Sequence, residues 1–215
     1  MTTIQNLFDL SYDDDKLTTA KLNHYLEIYD ELFLKFKHKS IKMIEIGINK
    51  GGSIKLWHSY FKNMLLFIGI DINPECKKYE KIFKNKNILI GDQGNKEFLE
   101  KIVDKVDNID IIIDDGGHQF HQQINSFKYL FKKLNYNGIY IVEDTHTSYD
   151  NYANIYPDNH VYGGGKNNSK TAIEFFKNLC DELTCWAFTK EHGICPSYTP
   201  KQLSWLSFIK TQGIT

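Results

Sequence analysis

The spacing of hydrophobic residues changes once along the chain. Between Leu17 and Lys37, the residues Leu22, Tyr25, Leu26, Tyr29, Leu32, Phe33 and Phe36 recur at three- and four-residue intervals. That period predicts an amphipathic helix laid over one flank of a core. From Ile41 onward, short continuous apolar runs take over: IKMIEI (41–46), LLFIGID (65–71), NILIGD (87–92), IDIIID (109–114) and YIVED (140–144). These read as strands. Between them, 53–61, 74–83, 96–106 and 121–134 carry helical periodicity. Ile-rich strands alternating with helices predict a parallel sheet covered on both faces and joined by right-handed crossovers. The expected fold is a doubly wound α/β sheet with an N-terminal helix.

Beyond Asp144 the pattern dissolves into THTSYDNYANIYPDNHVYGGGKNNS (145–169), rich in Tyr, Asn and Gly. A connection of that length inside a compact domain is expected to be a substrate lid. Helical spacing resumes over 170–183, and 184–189 and 203–211 read as two further strands at an antiparallel edge, for seven in all. No repeat or low-complexity linker interrupts the chain, so 1–215 is expected to form a single domain, with 1–40 a helical extension.

Composition narrows the classes of partner. The 215 residues are 41% hydrophobic, enough for a substantial core, and 26 Lys+Arg face 27 Asp+Glu. Near-neutrality offers no field for a phosphate backbone or an anionic membrane, so nucleic acid is not an expected partner. The acidic N-terminus has no signal-peptide pattern, and the longest apolar run, 64–70, is far short of a membrane span, which leads to an expectation of a cytoplasmic protein. Self-assembly into a homo-oligomer is compatible with the sequence. The cysteines (Cys76, Cys180, Cys185, Cys195) show no spacing suited to zinc.

In open α/β sheets ligands bind at the carboxyl ends of the strands. Those ends carry Glu45 and a glycine loop running to Ser53, then Asp71, Gly91-Asp92-Gln93, Asp114-Asp115 and Glu143-Asp144. The loop spacing Gly47-x-x-x-Gly51-Gly52 departs from the G-x-G-x-x-G that seats a pyrophosphate. An acid two residues before its first glycine suits a ligand with an ammonium group. Asp71 stands where an acid meets ribose hydroxyls. The pattern favours S-adenosyl-L-methionine over a nicotinamide dinucleotide, and methyl transfer over hydride transfer.

Asp115, Glu143 and Asp144 would meet on neighbouring strands, and converging carboxylates are costly without a cation. Residues 145–149 offer none except His146. A hard divalent ion such as Mg²⁺, held by those oxygens, resolves the conflict. His118, three residues past Asp115, is the candidate general base for an acceptor hydroxyl. Gly116 and Gly117 let the loop bend tightly beside it.

The blocks IEIGINKGGSIKLW (44–57), GIDINPE (69–75), GDQ (91–93), IIIDDGGH (111–118) and VEDTHTSY (142–149) resemble class I methyltransferases. Within that class the likeness is to the macrocin and mycinamicin sugar O-methyltransferases and the cephalosporin-hydroxylase-like proteins. The resemblance implies a metal-dependent sugar O-methyltransferase with His118 as base and Asp115, Glu143 and Asp144 as metal ligands. Glu45, Gly47, Gly51, Ser53, Asp71, Asp92, Gln93 and Asp114 would form the cofactor site. That family usually has Ser where Gly117 stands, and its macrolide members carry an N-terminal domain for which no counterpart is expected here. The acceptor is expected to be a nucleotide-linked sugar or a polysaccharide precursor. Two other readings stay open: a NAD-dependent nucleotide-sugar oxidoreductase or epimerase, and a non-catalytic binding protein of the same fold.

Overall fold

The computed structural model describes residues 3–11, 17–19, 21–81, 86–149 and 162–188. Five parallel strands form one sheet: β1 (Ile41–Ile46), β2 (Met64–Asp71), β3 (Lys86–Ile90), β4 (Ile109–Asp114) and β5 (Leu134–Val142), in the order β3-β2-β1-β4-β5. The helices are α1 (Ile4–Ser11), α2 (Asn23–Phe33), α3 (Gly52–Tyr60), α4 (Lys96–Val103), α5 (Phe120–Leu130) and α6 (Ala172–Phe188). The strand order reverses at β1, between β2 and β4, which is where this class of sheet opens a crevice for ligands.

The central strands are apolar without alternation because both faces are covered. Met43, Ile111 and Ile113 pack with Tyr29, Phe33, Trp57 and Phe61 on one side. Ile44, Ile46 and Ile112 pack with Leu99, Ile102, Phe127 and Leu130 on the other. Each such side chain withdrawn from water contributes about 1.5–3 kcal/mol against chain entropy. On α2 the buried stripe is Leu26, Tyr29 and Phe33, continued by Phe36, whereas Leu22 and Leu32 are exposed.

Three expectations are corrected. The run 184–188, read as a strand, is the last turn of α6; a short apolar run has the same signature in a buried helix and in a strand. The segment 74–81 is a 3-10 helix. Strand β5 begins at Leu134, well before Tyr140, because the ladder jumps from Ile109↔Leu134 to Ile111↔Ile139. The extra residues form an irregularity in which Asn137 takes a left-handed backbone (φ 64°), and their polarity hid the strand. With 184–188 helical and the expected strand 203–211 outside the described residues, five of the seven expected strands are found. Among the described residues no helix is long and apolar enough to cross a membrane.

Candidate active site

The register of the sheet puts the acids on one rim. Glu45 pairs with Gly69 on β2 and Ile113 on β4, and Asp114 pairs with Val142 on β5. The ladder continues one step past the strands, Gly47 N donating to Ile70 O at 2.8 Å, Asp115 N to Ile46 O at 2.9 Å and Glu143 N to Asp114 O at 2.9 Å. The loops after β1, β2, β3, β4 and β5 therefore leave the sheet at one level. Between them lies a cavity of about 410 Å³, within the range that takes a cofactor-sized molecule.

Of the residues expected to bind a cofactor, Gly47, Ser53, Asp71, Asp92 and Gln93 line this cavity. Gly47 has φ +85°, and a Cβ there would come within 1.9 Å of the Asp115 carbonyl oxygen, so two strand-end loops pass each other at this point with no room for a side chain. Asp71 accepts the backbone N–H groups of Asn49 and Asn73, each at 2.9 Å, one on each carboxylate oxygen. Asn73 caps the following 3-10 helix, accepting from Glu75 N at 3.0 Å. Asp92 accepts from Gly94 N at 2.7 Å and from Gln122 Nε2 at 3.1 Å. Gln93 bridges two loops, its Nε2 donating to Asp114 Oδ1 at 2.8 Å and its Oε1 accepting from Gly117 N at 2.9 Å.

Glu45, Gly51 and Asp114 are not on the cavity wall. Glu45 is fully buried behind it, where its carboxylate accepts from Ser53 Oγ and Trp57 Nε1, both at 2.9 Å. Burial pushes its pKa up to about 7, against the pull of Lys21, Trp57 and Ser53. Asp114 is likewise fully buried and raised by burial to about 6. Gly51 is the left-handed N-cap of α3, with φ 76°. These three stand behind the wall and are not part of its lining.

At one end of the cavity stand Asp115, His118 and Asp144, whose donor atoms lie within 4.8 Å of one another. His118 Nε2 is 3.6 Å from Asp144 Oδ2 and 3.8 Å from Asp115 Oδ1. Burial holds the imidazole below its ordinary pKa despite the nearby carboxylates, so it is neutral at pH 7. Its Nδ1 is buried without a hydrogen-bond partner among the described residues. His118 and Asp144 both adopt the left-handed backbone (φ 56° and 55°), a costly conformation outside glycine and one that collects at functional sites. His146 Nδ1 is 3.8 Å from Asp144 Oδ1 on the more exposed side. The far end of the expected lid returns here, Tyr162 donating its hydroxyl to Gly117 O at 2.7 Å.

Glu143, expected beside Asp115 and Asp144 as a metal ligand, faces inward instead. Its Oε1 accepts from the Tyr29 hydroxyl and from Lys21 Nζ at 2.6 Å. Lys21 Nζ is also 2.6 Å from Asp115 Oδ2 and 3.9 Å from Glu45 Oε1. Burial alone would lower the lysine pKa, but the carboxylates of Glu143, Asp115 and Glu45 outweigh it and hold the ammonium charged. The cation that the converging acids require is therefore supplied in part by the chain, from far upstream. Tyr25 adds a bond to Asp144 Oδ1 at 3.0 Å. The spacing Lys21-x-x-x-Tyr25-x-x-x-Tyr29 places all three on one face of α2 and its approach. Tyr25 and Tyr29 belong to the apolar stripe of the sequence, where only their polar tips distinguish them, and Lys21 lies outside that stripe.

No family model matches the chain. By sequence it is 30% identical over 169 residues to the 8-demethyl-8-alpha-L-rhamnosyl tetracenomycin-C 2'-O-methyltransferase of Streptomyces olivaceus, covering 75% of this chain and 42% of the relative. It is 27% identical to the demethylmacrocin O-methyltransferase of Streptomyces fradiae, over 86% of this chain and 46% of that one. Among solved structures, a methyltransferase of the mycinamycin biosynthetic pathway, in complex with Mg, SAH and mycinamycin VI, superposes with a TM-score of 0.69 at 26% identity, over 85% of this chain and 48% of that chain. The chain thus spans about half the length of the curated relatives it matches. The chain has the class I methyltransferase fold, and the proteins it is similar to include sugar O-methyltransferases of macrolide and tetracenomycin pathways.

Proposed function

We propose that this chain transfers a methyl group from S-adenosyl-L-methionine to a sugar hydroxyl with the help of a hard divalent ion, Mg²⁺ first. The observation that carries the reading is the convergence of Asp71, Asp115, His118 and Asp144 on a single cavity at the strand-order reversal. Asp71 keeps lone pairs for ribose hydroxyls after taking its two backbone bonds, since a carboxylate has about four acceptor sites. Gly47 lets the cofactor approach the β1 loop closely.

The donor chemistry fits a hard ion: Asp115 and Asp144 present carboxylate oxygens on the rim, within reach of each other. They would hold the ion, with Glu143 as a third ligand when Lys21 yields it. When bound, the ion makes an acceptor hydroxyl more acidic and the cofactor provides an electrophilic methyl group. The remaining work belongs to the chain. Neutral His118 accepts the hydroxyl proton at Nε2 as the oxygen takes the methyl group, and the resulting imidazolium faces Asp115 and Asp144, which stabilise it.

The acceptor reading shifts from the sequence expectation. Nothing in the relatives supports a nucleotide-linked sugar or a polysaccharide precursor; the tetracenomycin relative is named for a rhamnosyl group already carried by an aglycone. A deoxyhexose on a polyketide or similar aglycone is therefore the proposed acceptor class. The decisive experiment titrates SAH by calorimetry and then assays methyl transfer to a panel of rhamnosides with Mg²⁺ or with EDTA. SAH binding together with EDTA-sensitive turnover supports the reading. Absence of SAH binding, or turnover indifferent to EDTA, overturns it.

A further inference from the structure

The most completely buried charged contact in the site belongs to a residue outside the sheet. Lys21 has a side chain only 1% exposed, and its ammonium sits 2.6 Å from both Asp115 Oδ2 and Glu143 Oε1. Asp115 is thereby divided: Oδ2 faces Lys21, while Oδ1 faces His118 and the cavity. Glu143 is held from the same side by Tyr29 as well, and both of its contacts fall on Oε1.

The segment that delivers Lys21 is seated closely. Gly52 N donates to Thr18 O at 3.3 Å, and a Cβ on Gly52 would come within 2.3 Å of the Thr18 backbone. Thr18 and Thr19 themselves line the cavity. One strand of polypeptide thus touches the cofactor cavity and places a positive charge on two of the carboxylates proposed to hold the ion.

We propose that Lys21 is a built-in counter-cation that competes with the divalent ion for Asp115 and Glu143 and so sets the ion's affinity. This rests on the metal-dependent reading above. A fixed ammonium lets the acids converge and the protein fold without the ion. It also repels an arriving dication and occupies two of its ligands, so a neutral residue at position 21 of similar length leaves a more negative and more open site.

The test measures binding of Mg²⁺ alone and of Mn²⁺ alone, by calorimetry and by Mn²⁺ paramagnetic resonance, to wild type and Lys21→Met without cofactor or acceptor. At least ten-fold tighter binding to Lys21→Met is expected. Equal or weaker binding overturns the proposal and leaves the metal reading intact if wild type binds the ion. Failure of both proteins to bind any divalent ion, with SAH still bound, overturns the proposal together with the metal part of the function, but not the cofactor assignment. Should Lys21→Met not fold, the ¹⁵Nζ resonance of Lys21 in wild type, assigned by its absence from Lys21→Arg, is followed as Mg²⁺ is added. A shift or loss that saturates with the ion supports competition, and an unmoved signal overturns it.

Discussion

The Thr147 hydroxyl lies 3.0 Å from the carbonyl oxygen of His118 and 2.9 Å from that of Asp144. One small side chain thus reaches the backbone of both left-handed residues of the site, tying the loop after β4 to the loop after β5. Because the His118 backbone is strained, its imidazole direction depends on such ties. Thr147→Val keeps the shape and removes the donor. Turnover is expected to fall about five-fold, in line with the ~1 kcal/mol of a typical hydrogen bond, with SAH affinity unchanged and Thr147→Ser restoring the rate. Steady-state kinetics beside SAH calorimetry check this; a weakened SAH affinity with unchanged turnover contradicts it.

His118→Ala removes the proton acceptor without touching the wall near Asp71. The expected loss in turnover is about 10²–10⁴-fold, with SAH binding within about two-fold of wild type. Undiminished rates between pH 6 and 9 would show that another group takes the proton.

Asp71→Ala acts in the opposite sense. It deletes the acceptor of two backbone N–H groups, those of Asn49 and Asn73, and the carboxylate proposed to meet the ribose. Calorimetry is expected to show SAH affinity at least ten-fold weaker, about 1.4 kcal/mol. Unchanged affinity would place the nucleoside elsewhere in the cavity.

Glu45 makes stability depend on pH. Its folded-state pKa of about 7 lies above the ordinary glutamate value of about 4.3, so the folded protein keeps a proton that the unfolded chain has released. That contribution is complete below the unfolded value and is lost as pH rises through 7, by on the order of 3 kcal/mol. Glu45→Gln carries no such term, so its stability relative to wild type is expected to climb between pH 5 and 8. Urea unfolding at several pH values measures it, and a constant difference refutes the assignment.

Gly47→Ala tests the crossing of two loops. With φ +85° and the Asp115 carbonyl 1.9 Å from the added carbon, the variant is expected to lose about 2 kcal/mol or more. Denaturant melts and SAH titration are expected to suffer together; a melt matching wild type would mean that the loops separate freely.

The sheet was legible in the sequence because strands buried on both faces leave continuous apolar runs, as in 41–46 and 109–114. Once parallel register is granted, residues that follow those runs must share one rim, and so Asp71, Asp92, Asp115, His118 and Asp144 were placed together. The polar stretch Asn135–Gly138 hid the start of β5, because a ladder irregularity follows no hydrophobic period. The larger miss concerned which way the acids face. Glu45 and Asp114 read as ligand groups, but position in a strand end does not say whether a carboxylate points to the cavity or to Ser53, Trp57 or Gln93. Tyr29 escaped for a related reason: a helical stripe records which residues face inward, not which polar tips meet a partner far along the chain, and Lys21 escaped because a lysine outside that stripe reads as an exposed charge.

The row of Lys21, Tyr25 and Tyr29 also bears on how the molecule is assembled. These groups leave the ribosome more than a hundred residues before the carboxylates of Glu143 and Asp144 that receive them, and among the described residues β5, which those acids directly follow, pairs with β4 at the end of the sheet. Until that strand docks, the phenols of Tyr25 and Tyr29 lack their carboxylate acceptors and Lys21 has Asp115 and Glu45 but not Glu143, so completing this cluster is a long-range event of the kind that slows folding. The acid centre is therefore complete only when β5 and the turn after it are in place, which ties the chemistry of the site to the edge of the described sheet.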